Sequence, residues 1–329
     1  MEVNLNKARQ IVEVLLVRLG LAVLPLWPRR MILAGARLAG TIAYHCASGQ
    51  RRLTMANLEI AFGPRKSKDE KKRIAVRSFQ NMALVFLDFF WFARNTRARV
   101  RKYVRMDASV PAYFPQSPPT IGVTAHFGNW ELMSRAFTAH GYLHAAIVAP
   151  LSNPAVDVMF NKFRAAGDAE IIPIRGAVRG SLRAIRRGLH LAILLDQNTK
   201  PENGGVFVDF FGLPCPISTI AAVLVERKKV PILPVFCRAQ WDGHYTFYAF
   251  PQFKTDLLRE AGPDFAKQLT QQIAASFQRE IEKHPEQWMW MYKRWKYINP
   301  GSPADAYPYY AKPLRNLASG AAGRRAQEI

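Results

Sequence analysis

Cysteine is scarce in this chain: Cys46, Cys215 and Cys237 are the only 3 among 329 residues. They have no metal-ligand spacing and cannot all pair with one another, which excludes a disulfide framework and fits a reducing, cytoplasm-facing location. A zinc pattern, a phosphate loop and the G-x-G-x-x-G dinucleotide fingerprint are all missing, and the one Gly pair, Gly204-Gly205, is an ordinary turn signal. Nothing in the sequence calls for a metal or a cofactor. Acidic residues are few: 24 Asp and Glu stand against 46 Lys and Arg, leaving a formal net charge of +22. That surplus predicts an anionic partner, and charge alone does not choose among nucleic acid, anionic lipid headgroups and an acidic protein. There is no internal repeat, no heptad run and no composition break to divide the chain.

What is present is globular usage, 49% hydrophobic and 21% charged, in a chain long enough for one large α/β domain with its own core. The N-terminus carries two apolar stretches, Ile11 to Trp27 and Met31 to Ser48, interrupted by Glu13 and Arg18 and by Arg37. Each is at or just below the roughly 18 residues a spanning helix needs. Lys7 and Arg9 precede the first stretch and Arg29 and Arg30 follow it, so the positive-inside rule assigns no orientation. Residues 1–48 are expected as a short single-pass anchor or as in-plane amphipathic helices, with two ordinary core helices as the plain alternative.

Ser67-Lys-Asp-Glu70 reads as a capping box opening a helix to about Arg94. Its apolar second half, Phe86 to Phe92, is flanked by basic runs, which suits a membrane interface or else a buried helix end with solvated charge at its borders. After Pro119 the pattern changes. Thr120 to Ala125, His144 to Val148, Leu191 to Leu195, Val230 to Phe236 and Tyr245 to Phe250 read as strands, with helical patterns over Leu132 to His140, Pro154 to Ala166, Val178 to Gly188 and Ile217 to Lys228. This alternation predicts an α/β fold with a mixed, mostly parallel central sheet flanked by helices over 49–299. In such sheets sites gather at the carboxyl ends of strands, where His126 and Asp196 both fall. Residues 300–329, rich in Pro, Gly, Ser and Ala, read as a loosely ordered tail.

His126-Phe-Gly-Asn-Trp-Glu131 is the strongest chemical signal. Acyl transfer to an alcohol needs a base for the hydroxyl proton, and neutral imidazole suits that task near neutral pH. A carboxylate on the other ring nitrogen fixes the tautomer, and Glu131 is the expected partner. The spacing does not place two groups on one face of a regular helix; it works across a strand-to-helix turn, which Gly128 and Asn129 suggest. The remaining histidines, His45, His140, His144, His190, His244 and His284, lack such a setting and read as structural or surface residues.

The same motif resembles the signature of the lysophospholipid acyltransferase superfamily, and specifically its branch of lipid A biosynthesis lauroyl and myristoyl transferases. Asn57 to Phe62, Asn153-Pro154 with Arg164, Asp196-Gln197, Val206 to Gly212 and Pro285 to Trp290 resemble that branch's blocks in the same order. The resemblance implies a glycerolipid-acyltransferase-like fold and an enzyme at the cytoplasmic face of the inner membrane. Its donor would be acyl carrier protein and its acceptor a hydroxyl of an anionic glycolipid, a lipid A precursor. It further implies His126 and Glu131 as the catalytic pair, with Arg164, Asp196, Gln197 and Asn129 in support and Asp196 ordering Arg164 or the acceptor. Arg179, Arg183, Arg186 and Arg187 recur at helical spacing and form either a basic face for phosphates or carrier protein, or a solvated helix face. The aromatic clusters Asp209 to Gly212 and Trp288 to Trp295 line an acyl pocket or pack the core.

Tyr292-Lys-Arg-Trp-Lys296 stands where this branch commonly carries His-Arg-Arg followed by an aromatic residue and Lys, a departure that bears on the acceptor more than on the chemistry. A related branch, which acylates mannosylated phosphatidylinositol from acyl-CoA, shares the histidine and acid core and is the runner-up. A nucleic-acid-binding protein would explain the charge but not the apolar N-terminus, and no recognition motif supports it.

Overall fold

The structure, a computed structural model, describes residues 2–114, 119–164, 169–260 and 264–314, with the backbone alone for residues 2–6. The chain opens with α1 (Glu2–Val23), α2 (Arg29–Cys46), α3 (Ser48–Phe62), α4 (Lys68–Trp91) and α5 (Thr96–Tyr103). Helix α4 starts at its capping box: the Ser67 N–H donates to the Glu70 carboxylate at 2.8 Å and the Glu70 N–H to Ser67 Oγ at 3.2 Å. Strand and helix then alternate through β1 (Val104–Met106), α6 (Ser109–Tyr113), β2 (Ile121–Thr124), α7 (Trp130–Ala139), β3 (His144–Val148), α8 (Pro154–Arg164), β4 (Glu170–Pro173), α9 (Ala177–Arg186) and β5 (His190–Leu194). A hairpin, β6 (Gly205–Phe210) with β7 (Leu213–Ser218), precedes α10 (Ile220–Lys228), β8 (Ile232–Gln240), β9 (His244–Ala249), α11 (Thr255–Glu260) and α12 (Phe265–Lys283). The short pair β10 (Tyr297–Ile298) and β11 (Lys312–Pro313) follows.

Seven strands form one sheet in the order β1-β9-β8-β2-β5-β3-β4, parallel throughout except at the antiparallel β8–β9 pair. All of β2 is buried, as a central parallel strand covered on both faces should be. The pleat of β8 sorts its residues into two layers. Ile232 and Phe236 join a core with α3, α10 and α12, while Leu233, Val235, Cys237 and Ala239 join one with α2, α4 and α7. The mixed, mostly parallel α/β sheet expected from the sequence is the fold observed.

Several expectations change at the N-terminus. Helix α2 lays Ile32, Leu33, Ala36 and Tyr44 into the core, and at Gly40 it approaches α4 so closely that a Cβ would overlap the backbone of Gln80. Among the described residues no helix is long and apolar enough to cross a membrane, because charges interrupt both apolar stretches. The single-pass alternative therefore has no helix to carry it there. The aromatic end of α4 is mainly a buried helix end: Phe89, Trp91 and Phe92 are in the core and Phe86 is exposed.

Residues 300–314, expected as a loose tail, are docked by side-chain hydrogen bonds that composition does not reveal. The Tyr307 hydroxyl donates to the Pro214 carbonyl at 2.9 Å and that of Tyr310 to Asn57. The rest of the expected tail, 315–329, and the last two residues of the helix expected to run to Ala166 lie outside the described residues.

Candidate active site

Strands β2 and β5 are parallel neighbours with Thr124 opposite Leu194. Both run straight on, the Leu195 N–H donating to the Thr124 carbonyl at 3.0 Å, so the register delivers His126 and Asp196 side by side at the carboxyl edge of the sheet. The Asp196 carboxylate holds both the ring and the backbone of His126: Nδ1 lies 2.7 Å from Oδ1, and the His126 N–H donates to Oδ2 at 2.9 Å. The buried Trp288 indole N–H also donates to Oδ2, at 2.8 Å. Burial alone would push the Asp196 carboxyl up; the attraction of His126 and these hydrogen bonds outweigh it and hold the pKa below the usual carboxylate range.

A carboxylate on Nδ1 makes that nitrogen the protonated one, which leaves Nε2 as an acceptor. Gln197 approaches it from the exposed side, its amide nitrogen 3.4 Å from Nε2. The imidazole also packs edge-on to Trp130, with ring centroids 4.9 Å apart.

Glu131 is engaged elsewhere, and here the structure corrects the sequence reading. Its two oxygens take a bidentate pair from Arg164, Nη2 to Oε1 at 2.6 Å and Nε to Oε2 at 3.0 Å. Asp196, not Glu131, is thus the carboxylate on His126, and Glu131, not Asp196, orders Arg164. The cause is geometric: the turn after β2 sends Glu131 onto the first turn of α7, facing α8, whereas the neighbouring strand brings Asp196 to the ring. Arg135, one helical turn beyond Glu131, is buried over the Phe89 ring and donates to the Phe89 carbonyl at 3.4 Å. Burial pulls its pKa down to about 10, against the opposing pull of Glu131.

The turn between β2 and α7 is fixed from several sides. Gly128 has a φ of +57°, and a Cβ there would overlap the Cys237 carbonyl oxygen. Its N–H donates to the Gln287 carbonyl at 2.8 Å, and its own carbonyl accepts from Asn81 Nδ2 at 3.1 Å. Asn129 caps α7 by accepting from the Leu132 N–H at 3.2 Å, while its amide nitrogen lies 3.4 Å from Asp88. Asp88 is fully buried and paired with Arg29 and the Tyr245 hydroxyl. A lone acid inside the apolar run Phe86 to Phe92 was the available signal for this network, which sequence reasoning passed over, as it did Arg135.

The other singled-out residues divide by position. Asn153 Oδ1 caps α8 through the Ala155 N–H at 3.1 Å and its amide donates to the Gln10 carbonyl at 3.0 Å, tying the helix that carries Arg164 to α1. The departing segment near the C-terminus braces the strand-end loop: Tyr292 Oη accepts from the Asn198 N–H at 3.1 Å, and Arg294 donates to Asn198 Oδ1 at 2.9 Å. Phe210, Trp288, Trp290 and Trp295 are buried and pack on one another as core. Arg179, Arg183 and Arg186 on α9 and Arg187 just past its end are exposed, and none makes a hydrogen bond to His126 or Asp196. Among the described residues no group of His, Cys, Asp and Glu could hold a metal ion.

The profile of the bacterial lipid A biosynthesis acyltransferase family matches residues 4–297, which contain every residue of this site. The chain belongs to that family. It is 24% identical to the lipid A biosynthesis lauroyltransferase of Escherichia coli over 277 residues, covering 80% of this chain and 85% of that protein. It is also 24% identical to the E. coli lipid A biosynthesis palmitoleoyltransferase over 288 residues, covering 84% and 90%. The phosphatidylinositol mannoside acyltransferase of Mycobacterium tuberculosis is 23% identical over 172 residues, 52% of each chain. A lipid A biosynthesis acyltransferase is a transferase of acyl groups, and in this member the residues at the sheet edge divide into a histidine and aspartate pair and a glutamate and arginine pair.

Proposed function

We propose that this enzyme moves a fatty acyl chain from a thioester, borne by acyl carrier protein, to a hydroxyl of a lipid A precursor or similar anionic glycolipid. The observation that carries this is the 2.7 Å contact between His126 Nδ1 and Asp196, which leaves Nε2 free to accept a proton. The acceptor hydroxyl takes the place of the Gln197 amide and gives its proton to Nε2 as its oxygen attacks the thioester carbonyl. Asp196 stabilises the resulting imidazolium. The tetrahedral intermediate then collapses, the carbon–sulfur bond breaks, and the leaving thiolate takes the proton back from Nε2, so the new ester and free thiol balance the step. Arg164, oriented by Glu131, supplies a fixed fork for an acceptor phosphate or the developing oxyanion. The exposed arginines of α9 are the proposed contact for the carrier protein or for acceptor phosphates.

We place the protein, in this reading, at the cytoplasmic face of the inner membrane as a peripheral enzyme. Exposed Ile11, Leu15, Leu19 and Val23 on α1, with Met31, Leu38 and Ile42 on α2, supply an apolar face that soluble proteins rarely leave bare. Helix α8, whose last residue is Arg164, is tied at its start to α1 through Asn153 and the Gln10 carbonyl.

A second acceptor, phosphatidylinositol mannoside with acyl-CoA as donor, is favoured by the mycobacterial relative and by the departing Tyr292 to Lys296 segment. Purified protein assayed with labelled acyl carrier protein and acyl-CoA against both acceptor classes decides between them. Turnover with carrier-borne acyl groups and the lipid A precursor is expected, and no turnover with any donor and acceptor pair would sink the reading.

A further inference from the structure

A groove of about 650 Å³ lies between α2, α4 and the β8–β9 turn, and none of its lining residues belongs to the His126 site. Arg37, Lys72, Arg73 and Arg77 line it with Gln80 and Trp241, and Asp69 is the only carboxylate in its wall. Two neighbouring cations are paired, Arg65 with Glu282 and Lys71 with Glu59. Among the described residues none of the four groove cations has such an ion pair, and Arg37 spends its hydrogen bond on the Trp241 carbonyl at 3.1 Å. Asp69 and Glu70, whose carboxylate accepts from the Ser67 N–H and also feels Arg73, offset only part of this charge, and the low-dielectric walls focus the remaining positive field outward, an arrangement that gains by receiving an anion.

The surroundings say which anion. Arg37 is followed by Leu38, 64% exposed, and Ile42, 52% exposed, which continue the bare face of α2. Cations and a tryptophan bordering an exposed apolar stripe match the depth profile of a bilayer surface, with basic and aromatic groups at headgroup level and aliphatic groups below. An acidic protein would satisfy the charge but leave the stripe in water. We propose that the groove seats the phosphate of an anionic phospholipid headgroup while the α2 stripe beside it enters the acyl region. The site fixes the tilt of the enzyme on the membrane and is separate from the acceptor site. This rests on the reading that the α1 and α2 face meets a bilayer.

The test uses the full chain with vesicles of phosphatidylcholine alone and vesicles in which about a third of the lipid is phosphatidylglycerol, read by co-sedimentation. The wild type should prefer the anionic vesicles. Arg73→Gln with Arg77→Gln should weaken that binding by about 30-fold, the size expected for two interfacial cations. The control pair Arg227→Gln with Lys228→Gln, the same charge change on α10, should leave most of it. Equal losses in the two pairs would reduce the effect to net charge and overturn the site. A raised KM for carrier-borne donor with unchanged vesicle binding would make the groove a protein-docking surface, and full displacement by inorganic phosphate at constant ionic strength would make it a site for soluble phosphates; either result overturns the proposal. Failure of the intact protein to bind either vesicle would instead contradict the membrane reading on which the proposal stands.

Discussion

Asp196 grips His126 at two atoms, ring Nδ1 at 2.7 Å and backbone N–H at 2.9 Å, so one carboxylate fixes both the tautomer and the position of the imidazole. Trp288 in turn fixes Asp196. Trp288→Phe keeps most of the aromatic volume and removes that one donor. Turnover should fall by about 10-fold, the size of a lost charge-assisted hydrogen bond, and the loss should vanish when Trp288→Phe is added to Asp196→Asn. Additive losses in that double mutant would show that Trp288 acts through packing instead.

The pairing of Arg164 with Glu131 makes a separate prediction. Lysine keeps the charge of arginine but not its fork, so Arg164→Lys should lower turnover by about 10-fold or more. Glu131→Gln should give a related defect, and the double mutant should be no worse than the poorer single mutant. Rates at saturating donor and acceptor measure this. Wild-type turnover in Arg164→Lys would mean that the fork holds nothing the reaction needs.

Gly128 joins β2 to α7 through a conformation that side chains rarely adopt. Gly128→Ala meets both the positive φ and the Cys237 carbonyl, and should destabilise the fold by about 2 kcal/mol or more. Urea unfolding of the variant beside Gly141→Ala, where φ is also positive but the space is open, separates the two contributions. Equal losses at the two positions would leave the close approach without weight.

A pH effect follows from His144, buried on β3 with Ser134 Oγ 2.8 Å from its Nε2. Burial lowers its pKa from the ordinary 6.5, so the unfolded chain takes up the proton more readily. The stability that neutral His144 contributes is therefore complete above pH 6.5 and is lost as pH falls from there through the lower folded-state value. In His144→Gln the decline in unfolding free energy as pH falls below 6.5 should be shallower, though not flat, because burial also lowers the pKa of His284. An unchanged slope would assign the acid limb to other groups.

Much of this was legible in the sequence where local rules decide. Apolar runs bounded by turn residues marked β2, β3, β5, β8 and β9, and the Ser67 to Glu70 box marked the start of α4. Strand β4 was missed because Glu170–Pro173 is only a short run, and β1 because three residues inside a basic stretch carry no period. The site was legible in its members and not in its pairings. His126, Glu131, Arg164 and Asp196 were all named, but sequence proximity favoured Glu131 as the partner of His126, whereas strand register, a property of the assembled sheet, puts Asp196 there. Asp88 stood out as a lone acid in an apolar run, but its pairing with Arg29 was not legible for the same reason, since two distant charges pair only after α2 packs on α4.

The proposed reaction requires His126 to act as a base held by Asp196. The direct measurement is turnover of purified, folded His126→Ala, Asp196→Asn and their double mutant, with labelled acyl carrier protein as donor and a lipid A precursor as acceptor. Each single variant should lose at least about 100-fold, the scale of general-base catalysis, and the double should lose little more than the worse single. Near-wild-type turnover by folded His126→Ala, or strictly multiplied losses in the double mutant, would contradict it.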